Sequence, residues 1–278
     1  VVTVSDGWWA EVADGVFVRR HRELDLSVGL VLGERRCLVV DTRGDAAQGA
    51  ELAAAVRMLT PRPWTVVLTH AHFDHAFGAG AFLPCPVWAH ERCRTALTRE
   101  GAAQRADWAG RYRAAGEHAT ADALAATTIV PPDRLVRDRA ELDLGGRRVT
   151  LVHPGPAHTD HDLAVHVPDA GVVFAGDLVE HAPGGSFTAE SFGPDADLAR
   201  WPAALGTLLS LGARIVVPGH GEPVDDAFVA AVREPLAALA DLRAAVGSGR
   251  LSLAAALARS PFAEDVTRAA LAPEVSRS

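Results

Sequence analysis

Residues 70–75 read His70-Ala71-His72-Phe73-Asp74-His75, three imidazoles and a carboxylate within six positions. Zinc and similar borderline divalent metals favour such mixtures of nitrogen and carboxylate ligands. Three further residues of ligand type end apolar runs: VTLVHPGPA delivers His158, VVFAG delivers Asp177 and RIVVPG delivers His220. Packing gives no reason to cluster imidazoles at the ends of apolar runs, and hydration would scatter them. Metal-ion catalysis is the chemistry these residues suit.

Positioning them requires strands that end in loops, because a sheet holds its strand-end loops in one crevice. PWTVVLTH (63–70) is short and continuously apolar, as a strand buried on both faces must be. VGLVLG (28–33) and RCLVVDT (36–42) predict a hairpin, and CPVWAH (85–90) a further strand. DAAQGAELAAAVRMLT (45–60) has helical spacing and stops before Pro61. Residues 91–126 are helical in character. RLVRD (134–138) and RRVTLVHPG (147–155) are expected to pair through a Gly145-Gly146 turn. DLAVHVP (162–168) and GVVFAGD (171–177) predict another hairpin. A helix is expected over 195–212, a strand over 214–220, and helices beyond 225. Strands and helices alternate twice over, which predicts a layered α/β fold.

Composition excludes several classes. The 278 residues are 49% hydrophobic and 22% charged, enough for a core and unlike a disordered chain. The net charge of −8 weighs against nucleic acid as partner, and no apolar run is long enough to span a bilayer. All 27 basic residues are Arg, so Schiff-base and P-loop lysine chemistry is excluded. Cys37, Cys85 and Cys93 are sparse and lack C-x-x-C spacing, which fits a reducing compartment. The first residues show no signal-peptide pattern and no initiator Met, and the expected location is cytoplasmic.

THAHFDH (69–75), GPAHT (155–159), AGD (175–177) and PGHG (218–221) together resemble the ligand motifs of the metallo-β-lactamase-fold superfamily, over roughly residues 10–225. The resemblance implies a four-layer αββα sandwich at 1–225, with a helical extension at 226–278 packed on the same domain. It implies one metal site of His70, His72 and His158, a second of Asp74, His75 and His220, and Asp177 as the bridge. The implied cofactor is a pair of divalent ions, zinc first, with iron or manganese as alternatives. Such a pair lowers the pKa of a shared water from ~15.7 toward ~7, and the hydroxide attacks a carbonyl whose oxygen a metal polarises. Asp74 is then the expected catalytic carboxylate, orienting the nucleophile and relaying its proton. Asp41, Thr69 and Thr159 are expected to hydrogen-bond the ligands from behind. Glu180 and His181 are candidates to touch substrate.

The arrangement is similar to the glyoxalase II-like and lactonase-like branches. It departs from zinc β-lactamases with a cysteine ligand, since Asp177 stands where that cysteine would be. The expected function is hydrolysis of a small ester, thioester, lactone or related acyl substrate. The alternative is a mononuclear iron oxygenase of the persulfide dioxygenase kind, using His70, His158 and Asp177 as a facial triad. β-Lactamase and nuclease activities rank below both. The partner is a small molecule, without nucleic acid or membrane, and a second copy of the chain is a candidate partner for the Ala/Leu-rich helices at 226–271. His153, His161 and His166 are expected in surface or core roles, and the six Trp residues in the core.

Overall fold

Strands β1 (Trp9–Ala13), β2 (Val16–His21), β3 (Leu26–Leu32) and β4 (Cys37–Val40) pair antiparallel in succession. The computed structural model describes residues 7–272. Helix α1 (Ala46–Leu59) starts at Asp45, whose carboxylate accepts from the Ala47 and Gln48 amides at 2.8 Å. Strand β5 (Trp64–Val67) lies parallel to β4 and runs into the His-rich loop, which winds into the single turn α2 (Phe73–Ala76). Strand β6 (Val87–His90) follows, then helices α3 (Glu91–Arg99), α4 (Gly101–Ala114) and α5 (His118–Ala126), and the edge strand β7 (Arg134–Val136).

The second half is a meander of β8 (Arg139–Asp143), β9 (Arg148–Val152), β10 (Ala164–Val167) and β11 (Val172–His181). Helix α6 (Trp201–Leu209) crosses back to β12 (Ile215–Gly221), parallel to β11. Helices α7 (Asp226–Gly247), α8 (Leu253–Leu257) and α9 (Glu264–Ala270) follow.

Hydrogen bonding links the strands in the order β7-β6-β5-β4-β3-β12-β11-β10-β9-β8, with β2 and β1 branching from β3. The sheet folds over on itself, and three cores show how. Val18, Val31, Leu38 and Val67 from one half meet Leu151, Val165, Phe174 and Val217 from the other in a core between the halves. Leu30, Val39, Val66 and Phe77 pack under α1, α4 and α5 on one outer face. Val173, Leu178 and Val216 pack under α6, which contributes Trp201, and α7 on the other, and Ala256 and Ala270 of α8 and α9 join them. Helix, sheet, sheet, helix is the αββα sandwich expected from the resemblance.

Two local expectations differ. The Gly145-Gly146 turn, with φ of +86° and +74°, joins β8 to β9, not 134–138 to 147–155. Residues 134–136 instead form the opposite edge of the sheet as β7. Strand β8 is a charged edge strand, Arg-Ala-Glu-Leu-Asp, and edge strands carry little apolar signal. The helix expected from 195 begins only at Trp201, because Pro202 is tolerated only in a first turn and 195–200 form turns beside the site.

Candidate metal centre

The seven ligand-type residues converge where the two halves of the sheet join. Nitrogen or carboxylate atoms of His70, His72, His158 and Asp177 lie within 4.8 Å of one another, and those of Asp74, His75 and His220 form a second such group. Asp177 lies between the groups. Its carboxylate is 3.6 Å from His70 Nε2, 3.5 Å from His158 Nε2, 3.1 Å from His75 Nε2 and 3.3 Å from His220 Nε2. Asp74 Oδ2 is 3.5 Å from His75 Nε2 and 3.4 Å from His220 Nε2.

Each histidine has its outward nitrogen engaged by the protein. His70 Nδ1 meets Thr69 Oγ1 at 3.0 Å, and that hydroxyl in turn donates to Asp41 Oδ2 at 2.8 Å, so it accepts from the ring. His75 Nδ1 donates to Asp41 Oδ2 at 2.8 Å and His72 Nε2 to Asp195 Oδ2 at 3.2 Å. His158 Nδ1 donates to the Ser191 carbonyl at 3.1 Å and His220 Nδ1 to the Leu24 carbonyl at 2.7 Å. Carbonyls and carboxylates only accept, so each outward nitrogen carries a proton and the inward nitrogen is the one left to offer a lone pair to a cation. His72 Nδ1 and His158 Nε2 face each other at 3.0 Å across the first group, and although burial opposes it, Asp195 raises His72 to about 8. His70 Nε2 and Asp177 Oδ1 are buried without a hydrogen-bond partner. Orphaned buried acceptors on convergent ligands fit a divalent cation, and the donor set suits zinc.

Electrostatics point the same way. Burial holds the His70 and His158 imidazoles neutral, His158 down to about 4. In the second group, Asp177 and Asp74 overcome the burial penalty on His75 and His220, raising His220 to about 10. Burial opposes ionisation of Asp177, but His75, His220 and His70 hold it well below the usual carboxylate range. Without a metal, the carboxylates draw protons onto these rings to supply positive charge.

Small residues permit the crowding. A Cβ on Gly219 would lie 1.8 Å from Asp177 Oδ1, so only glycine lets β12 pass that carboxylate. Gly176, at φ +54°, brings the backbone against Thr69, where a Cβ would lie 2.8 Å from the Thr69 side chain.

The residues expected behind the ligands divide. Asp41 reaches His75 directly, and Thr69 links it to His70. Thr159 turns away: its hydroxyl donates to Asp162 Oδ1 and its amide to Asp162 Oδ2, both at 2.8 Å, which closes its own loop. Glu180 is buried and accepts from Ser191 Oγ at 2.7 Å, one residue removed from His158. Burial and the charge of Asp177 push its carboxyl up to about 8. His181 leaves the site, with Nδ1 donating to the Glu222 carbonyl at 3.2 Å and its ring 5.1 Å from that of Phe228.

Several contributors escaped the sequence reading. The Ser191 and Leu24 carbonyls are backbone groups that any residue would supply, and Asp195 lies in a Gly/Pro-rich stretch without spacing. His161 lies outside both groups, and its buried Nε2 accepts from the Ala71 amide, between His70 and His72, at 3.2 Å. Trp8 is 75% exposed rather than in the core. Trp201 stacks edge-on against His158 at 5.6 Å, and Trp108 lies against Phe73 at 4.6 Å. Tyr112 also packs behind Phe73, its hydroxyl on Glu23. A small pocket lined by Leu24, Leu26, Phe73 and Asp74, together with Glu23, Arg43 and Gln48, shares Asp74 with the second group.

The family model described as Metallo-beta-lactamase superfamily matches residues 22–220. The acyl-coenzyme A thioesterase MBLAC2 of Gallus gallus is 28% identical over 187 residues, which cover 62% of this chain and 66% of that protein, just under two thirds of its length. A metallo-beta-lactamase type 2 of Bacillus sp. (strain 170) is 29% identical over 223 residues, 78% of this chain and 74% of that one. The solved metallo-beta-lactamase from Pontibacter korlensis superposes with a TM-score of 0.62 at 20% identity, covering 82% of this chain and 98% of that one, a likeness of fold. No helix among the described residues is long and apolar enough to cross a membrane.

Proposed function

Since this chain belongs to the metallo-β-lactamase superfamily, we propose that it is a dinuclear zinc hydrolase acting on a small thioester, ester or lactone. One observation carries the reading. Five imidazoles and two carboxylates converge in two adjacent groups, with the Asp177 carboxylate 3.1–3.6 Å from imidazoles of both and each outward ring nitrogen already engaged. In this reading His70, His72 and His158 hold one ion, Asp74, His75 and His220 the other, and Asp177 both. Zinc suits the donor set better than manganese, which prefers oxygen ligands.

Divalent ions held there bring the pKa of a bound water toward neutrality and polarise an acyl carbonyl. The chain's residues do the rest. Asp74 is the carboxylate that orients the attacking water and takes up its proton. Asp177 supplies negative charge between the two groups, which limits repulsion between cations. Asp41 fixes His75, and through Thr69 also His70, so both rings keep their lone pairs inward. Of the segment 226–278, the described part, 226–272, is then an extension of the catalytic domain, since α7, α8 and α9 share its outer core; 273–278 lie outside the described residues.

A thioester is the first substrate to test, because the Gallus gallus relative is named an acyl-coenzyme A thioesterase. β-Lactams belong in the same panel, given the relative from Bacillus. The zinc-loaded protein is assayed against short acyl thioesters, esters, lactones and a chromogenic β-lactam, with His72→Ala and Asp74→Ala as controls. Hydrolysis of an acyl substrate that both variants and a chelator abolish supports the reading. Wild-type rates in either variant contradict it.

A further inference from the structure

The histidines of the first group owe their orientation to different parts of the chain, and two of the three depend on one loop. His70 is held by its neighbour Thr69. His158 and His72 are held by Ser191 and Asp195, both in the segment between β11 and α6. That segment is stapled beside the site, with the Asp197 amide donating to the Ala157 carbonyl at 2.7 Å and the Ser191 hydroxyl to Glu180. Gly193 makes room for the bend: a Cβ there would lie 2.7 Å from Asp195 Oδ1.

We propose that Asp195 is a positioning residue that sets His72 for metal and fastens the 182–200 loop to the first metal group. The inference rests on the hydrolase reading above, in taking His72 as a ligand through Nδ1. Among the outward partners in this group, Asp195 alone is a carboxylate; the others are a hydroxyl and a carbonyl. A carboxylate on Nε2–H fixes the tautomer and makes Nδ1 a stronger donor to a cation. The partnership also works outward. His72 and His158 are both pinned to this loop, so the loop that walls the site beside β11 cannot shift without turning two ligands of one ion.

The test compares Asp195→Ala, Asp195→Asn and Asp197→Asn for zinc affinity, by competition with a chromophoric chelator, and for the visible spectrum of the cobalt-loaded protein. Asp195→Ala is expected to weaken one of the two sites about 10- to 100-fold while the other keeps its affinity. Asp195→Asn, whose amide oxygen still accepts from Nε2–H, should fall between it and the wild type. Asp197→Asn, in the same loop but directed at the Arg200 amide, should bind like the wild type. Wild-type affinity at both sites in Asp195→Ala overturns the proposal. Equal losses in the Asp195 and Asp197 variants also overturn it, because they would show a general loosening of the loop. Wild-type protein that binds no zinc defeats the hydrolase reading itself, a different result from either.

Discussion

Leu26 and His220 face each other across the register pair through which β3 meets β12, so the seam between the two halves of the sheet passes through the second ligand group. His220 Nδ1 donates to the carbonyl of Leu24, two residues back from its strand partner. Leu24 and Asp25 both adopt left-handed backbone, φ +56° and +55°, which is unfavourable for residues with side chains. Arg20 holds that turn in place. Its guanidinium grips Asp25 with two nitrogens and reaches Glu222, the residue that follows β12, with the third.

Arg20→Ala should therefore release the Leu24 turn and, with it, His220. The expected result is a loss of about 2 kcal/mol in stability, the scale of hydrogen bonds to charged groups, and zinc affinity about tenfold weaker at the second group. Urea unfolding of the metal-free protein and chelator competition measure the two effects separately. An unchanged affinity would show that His220 does not depend on this turn.

Gly219→Ala places a methyl group where Asp177 Oδ1 now sits. Either the carboxylate or β12 must move, at a cost of about 1–3 kcal/mol for overpacking, and, on the proposed sharing of Asp177, zinc content should drop at both groups. Elemental analysis of the purified variant checks this. Full occupancy would mean that Asp177 is not shared.

His90 gives the fold a pH limit apart from the metal. It is buried, stacks on His153 at 4.3 Å, and its Nδ1 accepts from the Arg92 amide at the start of α3. Burial, then the neighbouring His153 and His161, bring its pKa down to about 4. The unfolded chain binds the proton near pH 6.5 and the folded chain does not, so stability is full above that pH and declines as pH falls toward 4. The loss from His90 at pH 5 is about 2 kcal/mol. His21, lowered to about 3 by burial and by Arg43 and Arg19, adds in the same direction. Urea midpoints of the metal-free protein at pH 7 and pH 5 measure the decline, and His90→Gln should flatten it. A midpoint independent of pH over this range would contradict the assignment.

The sequence made the convergent ligand-type residues legible because they end apolar strands, and strands announce themselves by composition. His70, His158, Asp177 and His220 each follow such a run. The αββα layering was legible through the resemblance of four motifs, whereas β8 was missed because an exposed, charged edge strand has no apolar face to reveal it. What holds the ligands was half legible. Asp41 ends a strand and could be anticipated, but the Ser191 and Leu24 carbonyls carry no side-chain signature. Thr159 shows the limit of reading from adjacency, since its hydroxyl prefers the nearby carboxylate of Asp162 to any ligand.

The most direct test of two metal groups sharing Asp177 is the metal content of protein purified without added metal or chelator, beside Asp177→Ala. The account predicts roughly two zinc ions per chain in the wild type and a clear fall in the variant. One iron per chain would contradict it and favour the facial-triad oxygenase built on His70, His158 and Asp177.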